Sequence, residues 1–401
     1  MILAKDRATR SPWVTVWLRP RQTIERLVET RPAYFVWPLA ILGTTAGIYN
    51  QIVVIHGSSQ FLDGPLALGL VALGALLGIA WLYATALMLS WIGALLGGQA
   101  GGRDLRAVFA WSSPPTILGG IAVWLIGATN AVTPDIVAPL VAASSFWSSA
   151  VFLLMLGRVE RFGFGRTILA YALNLLLAFA LALFIRSFLY QPFNIPSASM
   201  RPTLLVGDYI FVSKFAYGYS RFSLPYSRFL PPGRIFFSEP ARGDIVVFRA
   251  PKDTAADYVK RVIGLPGDRI QMKQGELYIN NAPLKRARLA DMEGDGACGA
   301  DMSGNAKRWR ETMPDGTSYE TLDCTDHGFL DNTDVFTVPD RHFFVLGDNR
   351  DNSVDSRTSQ IGYIPFENLI GRVSLIFFSR DEGDRGVVAR IRTGRIGRLV
   401  R

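Results

Sequence analysis

The chain is 401 residues long, enough for two or three domains, with 49% hydrophobic residues, a formal net charge of +9 and an isoelectric point near 9.7. Its mean hydropathy of +0.22 is high for a soluble protein, and the apolar residues crowd the first 190 positions while most acidic ones follow position 200. That asymmetry places a membrane part first and a soluble part second, and it assigns the excess arginine to membrane topology rather than to a nucleic-acid partner.

Residues 1–33 read as a basic cytoplasmic tail. They are charged and aromatic, with no apolar core segment and no cleavage-site pattern, so they are not a signal peptide. Roughly 20 apolar residues cross ~30 Å of hydrocarbon, and on that measure about five spans follow, at about Tyr34–Ile55, Leu66–Leu96, Ala107–Ile126, Ile136–Leu156 and Thr167–Phe188. The second is longer than a crossing requires. The third contains Pro114-Pro115, which predicts a kink.

Basic residues fix the orientation. Lys5, Arg7, Arg10, Arg19, Arg21, Arg26 and Arg31 precede the first span, Arg103 and Arg106 follow the second, and Arg158, Arg161 and Arg166 follow the fourth. The loops His56–Pro65 and Gly127–Asp135 hold no Lys or Arg. The N-terminus is therefore expected in the cytoplasm, and an odd number of spans carries everything after the fifth to the far side. The stretch Arg21-Gln-Thr-Ile-Glu-Arg-Leu27, then Arg31-Pro32 and the spans, resembles the Yip-type family of integral membrane proteins over roughly residues 15–185. This gives a four-span Yip-like domain at 34–166 and a fifth span or anchor at 167–190; the plainer alternative is an enlarged anchor. Asn174 and Arg186 are isolated polar residues in the last span, with no ionisable pair that would mark a transport path.

Beyond the fifth span the pattern becomes short β-type runs punctuated by Gly and Pro: Tyr209–Ser213, Asp244–Phe248, Tyr258–Ile263, Arg269–Met272, Glu276–Ile279, His342–Leu346 and Arg372–Phe378. Asn280-Asn281 reads as a hairpin turn. A mainly-β domain over 191–280 and 338–379 follows, interrupted by a polar insertion at 281–337, a small β/irregular subdomain that holds Cys298 and Cys324. These cysteines match no zinc spacing; outside the cytoplasm they pair as a disulfide, inside it they stay free thiols. The aromatic and Pro-rich stretch Phe215–Pro240 either rests on the bilayer or packs into the core. The Arg-rich C-terminal tail, 380–401, is expected on anionic lipid head groups or disordered.

The chemistry centres on Pro196-Ser-Ala-Ser-Met-Arg-Pro-Thr203. Pro196 and Pro202 fix φ around Ser197 and Ser199 and keep the segment out of a helix, so each serine is either a linker residue or a nucleophile. The three histidines, His56, His327 and His342, have no motif-like setting, which argues against a Ser-His-Asp triad. A neutral lysine is the other base open to a serine. Past the fifth span lie Lys214, Lys252, Lys260, Lys273, Lys285 and Lys307, and of these only Lys260 sits inside an apolar strand, Tyr258-Val-Lys-Arg-Val-Ile263. Alternation puts Lys260 on one face and Arg261 on the other, and arginine stays protonated in proteins, so Lys260 is the candidate base. The run Gly347-Asp-Asn-Arg-Asp-Asn-Ser-Val-Asp-Ser-Arg357 is no calcium loop: counted from Asp351, Ser356 stands where Gly is needed and Gly362 where Glu is needed. It is either a hydrogen-bonded ion-pair network supporting a neighbouring site or a solvated loop.

Four segments in order, 196–203, Gly243-Asp-Ile-Val-Val-Phe248, Tyr258-Val-Lys-Arg-Val-Ile-Gly-Leu-Pro-Gly-Asp268 and 347–357, resemble bacterial type I signal peptidases over about residues 170–378. The resemblance implies a Ser-Lys dyad endopeptidase that removes signal peptides from exported preproteins, with no cofactor and no metal. Ser199 would be the nucleophile, Lys260 the general base, and Ser197 an oxyanion donor beside the Ser199 N–H. Ser353 would orient the Lys260 amine, Asp355 would hold Arg357 and the loop, and Asp348 and Arg261 would support. Implied partners are preproteins with small residues at −1 and −3, the lipid bilayer and the secretion machinery. The implied location is the bacterial cytoplasmic membrane, with the catalytic domain on the periplasmic face. Two features depart from that family: four spans ahead of the anchor, and cysteines more widely spaced than its small bridge. The alternatives are a related Ser-Lys processing peptidase of narrower substrate range, and a Yip-like scaffold carrying an inactive peptidase domain.

Overall fold

The computed structural model describes residues 11–56, 65–127, 133–223, 231–254, 256–292, 298, 305–381 and 391–400. Lys5, Arg7, Arg10 and Arg390, together with parts of the loops, aromatic stretch, insertion and tail named above, lie outside the described residues. The chain divides into two units, Met1–Leu181 and Ala182–Arg401.

The first unit is helical: α1 (Pro12–Leu18), α2 (Pro20–Thr30), α3 (Val36–His56), α4 (Pro65–Leu95), α5 (Gly102–Trp111), α6 (Pro114–Gly127), α7 (Pro134–Val159) and α8 (Phe164–Phe184). Residues 1–33 were expected as a tail, but 12–30 fold. Pro12 and Pro20 start the two helices at the position where a missing N–H costs nothing. Val16, Ile24 and Leu27 are then buried in the same cluster as Leu39, Leu82, Leu105 and Met155. Short amphipathic helices reach a core this way because tertiary packing, not propensity, supplies most helix stability.

Among the described residues, four segments are long and apolar enough to cross a membrane: Leu68–Leu95, Gly102–Gly127, Asp135–Val159 and Phe164–Leu189. The first of the five expected spans is not among these four: it is a helix, α3, of 21 residues, in which Thr44, Thr45, Asn50 and Gln51 dilute the apolar run. α4 has 31 residues, so it exceeds a crossing, at ~1.5 Å per residue, by a wide margin. The kink expected at Pro114-Pro115 is a full break. α5 ends at Trp111 and α6 starts on Pro114, because a proline removes an amide and its ring clashes with the carbonyl four residues back.

The second unit opens with the last residues of α8, followed by a π turn, Ile185–Leu189, and β1 (Tyr190–Asn194). The remaining strands are β2 (Asp208–Ser213), β3 (Tyr219–Ser220), β4 (Arg234–Ile235), β5 (Ile245–Arg249), β6 (Asp257–Gly264), β7 (Arg269–Lys273), β8 (Glu276–Ile279), β9 (Ala282–Pro283), β10 (Lys285–Arg288), β11 (Lys307–Thr312), β12 (Ser318–Asp323), β13 (Phe336–Thr337), β14 (His342–Leu346), β15 (Ile364–Pro365) and β16 (Leu369–Ser379). The main sheet runs β1-β2-β16-β5-β6-β14-β15, and a second runs β13-β7-β8-β9. β5 shows why its run is continuously apolar: Ile245 and Val247 enter one buried cluster, Val246 and Phe248 another, so both faces of the strand are covered. Asn280 and Asn281 both take positive φ, 53° and 69°, as a two-residue hairpin turn demands.

The inserted subdomain, expected as β or irregular, is β in its described core: β10-β11-β12 is an antiparallel meander, written in residues whose charged faces mask the strand pattern. The described part of the Arg-rich tail is ordered, and two of its arginines are taken up by the β unit rather than left for lipid. Arg395 donates to the buried Asp208 carboxylate and to the Thr203 carbonyl, and Arg392 donates to the Val206 carbonyl. A fully buried carboxylate needs such partners, and the tail supplies them. Cys298 and Cys324 form a disulfide with Cα atoms 5.7 Å apart.

Candidate active site

Ser199 lies in the short crossing between β1 and β2. Ile195 and Met200 are buried in the sheet's core cluster, and the Leu204 N–H donates to the Met200 carbonyl, so the segment is fastened on both sides of the serine. The prolines were expected to keep it out of any helix. Instead Ala198–Met200 makes a single 3-10 turn, with Ser197 extended at its start (φ −124°, ψ 155°). Three residues between pinned ends have room for one turn and no more. Ser199 is buried and Ser197 exposed, with their hydroxyl oxygens 3.2 Å apart.

Lys260 stands in the middle of β6, opposite Val246 of β5. Its side chain is 4% exposed, and Nζ lies 2.7 Å from Ser199 Oγ and 3.0 Å from the Val259 carbonyl oxygen. Burial pushes its pKa down from 10.5 to about 8, against the nearby Asp355 and Asp348 carboxylates, which favour the charged form. That distance is within the reach a general base needs to a hydroxyl proton.

Lys214, set aside by its place in the sequence, is buried as well. Nζ donates to the Ser223 carbonyl at 2.9 Å, and burial pushes its pKa to about 8 too. Acidity therefore does not separate these two lysines; contact with a serine hydroxyl does.

Arg261 occupies the opposite face of β6, as alternation requires. Its Nε and one terminal nitrogen each donate to Asp348 at 2.8 Å, the other terminal nitrogen donates to the Gly243 carbonyl at 2.7 Å, and the guanidinium lies 4.2 Å over the Tyr319 ring. Asp348 also accepts from Thr203 Oγ1 at 2.5 Å, tying the loop to the end of the serine segment. The Asp355 carboxylate accepts two bonds from the Arg357 guanidinium, each 2.9 Å, one from the Arg357 backbone N–H at 3.2 Å and one from the Gly347 N–H at 3.0 Å. Burial alone would raise the Asp355 pKa; the Arg357 charge and hydrogen bonds outweigh it and hold the carboxyl below its ordinary value. The loop at 347–357 is thus a network of buried ion pairs, not a solvated loop.

Ser353 is buried, and its hydroxyl faces Asp355 without making a hydrogen bond to the Lys260 amine. It lies close under Gly347: a Cβ built there would be 2.2 Å from Ser353 Oγ and 2.6 Å from the Ser199 carbonyl oxygen, so this position needs glycine. Neither His327 nor His342 takes part in the described hydrogen bonds of Ser199, and His342 bonds the Asp340 carbonyl.

Three contributors escaped the sequence reading. Asn349 donates its backbone N–H to the Ser199 carbonyl at 3.1 Å and its side-chain amide to the Ala198 carbonyl at 3.3 Å. Glu311 and Tyr319, from the inserted meander, bond each other and Arg350. The register of Asn349 inside the loop motif was the one available signal; nothing in the composition of the insertion pointed inward.

A buried serine hydroxyl against a buried, weakly basic lysine, in a β-rich unit that follows membrane-spanning helices, defines a membrane-anchored serine peptidase. Comparison with known proteins agrees. The family model for signal peptidase, peptidase S26, matches residues 168–378, and the Yip1 domain model matches residues 14–186. The Signal peptidase I of Rickettsia conorii is 42% identical over 220 residues, which cover 52% of this chain and 80% of that protein. The Signal peptidase I of Rickettsia typhi is 42% identical over 207 residues, covering 50% and 76%. The crystal structure of a signal peptidase I from Enterococcus faecalis V583 is 28% identical and covers 34% of this chain and 97% of its own, at a TM-score of 0.20, too low to carry an argument about shape. The chain belongs to the signal peptidase family, peptidase S26.

Proposed function

We propose that this membrane-anchored peptidase removes signal peptides from exported preproteins with Ser199 as nucleophile and Lys260 as general base. The observation that carries the reading is the 2.7 Å contact between Lys260 Nζ and Ser199 Oγ in a buried setting. With a pKa of about 8, about one lysine in ten is neutral at pH 7. The neutral amine takes the Ser199 proton as Oγ bonds the scissile carbonyl carbon. The oxyanion that forms is met by the Ser197 hydroxyl and the Ser199 N–H, each donor worth about 3 kcal/mol by analogy with other serine proteases. Collapse expels the amine of the mature protein, which leaves with the proton from Lys260. The signal peptide remains as an ester on Ser199, and water, deprotonated by Lys260, releases it. Arg261, Asp348, Asp355 and Arg357 keep the two strands and the loop in register, and Ser353 packs beneath them.

The charge pattern of the loops supports a cytoplasmic N-terminus and a catalytic unit on the periplasmic face of the inner membrane. Small residues at −1 and −3 of the substrate, and contact with the secretion machinery, complete the reading by family analogy. Phe215, Ile235, Phe236 and Phe237 are exposed, whereas Tyr217 and Phe222 of the same stretch are buried. The exposed set is suited to rest on lipid. The scaffold alternative is not favoured, because both reactive side chains are present and in contact.

Replacing Ser199 and Lys260 separately by Ala and assaying a secretory preprotein tests the dyad; either variant turning over like wild type overturns it.

A further inference from the structure

Lys260 is placed by a sheet strand, but Ser199 sits in a crossing with a single turn, and something must hold that turn against the base. The main-chain carbonyls on either side of the nucleophile, those of Ala198 and Ser199, are both bonded by one residue, Asn349, through Nδ2 at 3.3 Å and the backbone N–H at 3.1 Å. Asn349 is fully buried. It is fixed in turn by the inserted meander. The Leu322 N–H donates to the Asp348 carbonyl at 2.8 Å and the Arg350 N–H to the Leu322 carbonyl at 2.9 Å, so the end of β12 pairs in parallel with the loop at Asn349.

The next residues extend that clamp. The N–H groups of Cys324 and Thr325 both donate to Asp351 Oδ2, at 2.7 and 2.9 Å. Cys324 Sγ lies 3.7 Å from Asn349 Oδ1; a disulfide sulfur carries no hydrogen, so this is a packing contact that backs the amide. Cys298, Ala306 and Leu322 form a small buried cluster with Cys324 at its edge, and the disulfide closes it.

We infer that Asn349 is a positioning residue for the nucleophile, and that the Cys298–Cys324 disulfide holds it in place through the Leu322–Thr325 segment. This rests on the Ser199–Lys260 reading above. The insertion is then part of what aligns the dyad. The wide spacing of the cysteines follows from the need to brace β12 where it meets the loop.

The test compares purified full-length variants on a secretory preprotein, with kcat and KM determined separately. Asn349→Asp keeps the shape and the disulfide but replaces the Nδ2 donor by an oxygen facing the Ala198 carbonyl; kcat is expected to fall about tenfold or more while KM stays within about twofold. Asn349→Ala should lose about as much. The Cys298→Ser/Cys324→Ser pair should lower kcat about threefold, and combining it with Asn349→Ala should add nothing further, because both act on one contact. Wild-type kcat in Asn349→Asp, wild-type kcat in the disulfide-free protein, or losses that multiply in the combined variant would each overturn the inference. Should the disulfide-free chain fail to fold, Asn349→Asp still decides. Ser199→Ala run alongside separates the two readings: wild-type turnover there sinks the dyad, whereas an inactive Ser199→Ala beside a wild-type Asn349→Asp sinks only the role given to Asn349.

Discussion

Replacing Lys260 by Met is expected to abolish cleavage and also to make the peptidase unit melt higher at neutral pH. A lysine whose pKa is lowered on folding costs stability at every pH below its folded value, and the cost fades as pH climbs to the unfolded value. For Lys260 those limits are about 8 and 10.5. At ~1.36 kcal/mol per pH unit between them, the buried amine costs about 3 kcal/mol at pH 7. Methionine removes that cost and fills the same space, but it gives up the bonds to Ser199 and Val259, worth about 1 kcal/mol each. The net gain of about 1 kcal/mol raises the midpoint by roughly 2–4 °C for a unit of this size. It is read as the temperature at which the peptidase unit of the purified variant becomes sensitive to added protease. Repeating the comparison at pH 10.5 should erase the gain. A variant that melts no higher than wild type at pH 7, or equally higher at both pH values, would refute the reasoning.

Other outcomes follow from the same geometry. The kcat/KM of the wild type should rise with pH through a midpoint of about 8, and Asp348→Asn should move that midpoint downward, since it removes a charge that favours the protonated amine. Lys214→Met should leave the midpoint where it is, because Lys214 bonds a backbone carbonyl rather than the nucleophile; a shifted midpoint would reassign the base. Asp348→Ala strands the buried Arg261 guanidinium and should cost about 3–5 kcal/mol in denaturant unfolding, with a loss under about 1 kcal/mol contradicting a buried network. Gly347→Ala, whose methyl would meet Ser353 and the Ser199 carbonyl, should cut kcat about a hundredfold in protein that is still folded.

Several of these elements are legible in the sequence alone. β8 and β14 fall at their expected limits, Glu276–Ile279 and His342–Leu346, because alternating or continuous apolar runs between Gly, Pro and Asn turns carry a local signal. The opposition of Lys260 and Arg261 across β6 came from strand period alone. What stayed hidden depends on partners far away in sequence. Lys214 looks solvent-facing beside its turn, yet it is buried and bonds the carbonyl of Ser223, nine residues on. β10–β12 read as polar because their apolar contribution is small, and Glu311 and Tyr319 are drawn inward by Arg350, a residue outside the insertion. The helices at 12–30 hid behind their charges, and the tail arginines gave no hint that a buried Asp208 needed them.

Ser199 and Lys260 are expected to act as one unit. The direct measurement is a double-mutant cycle on preprotein cleavage: Ser199→Ala, Lys260→Ala and the two combined, under identical conditions. If the pair works as one unit, all three fall to the same residual rate, since removing either partner already removes the step. A double variant slower than both singles by the product of their losses, or a single variant that keeps wild-type kcat, would contradict the dyad.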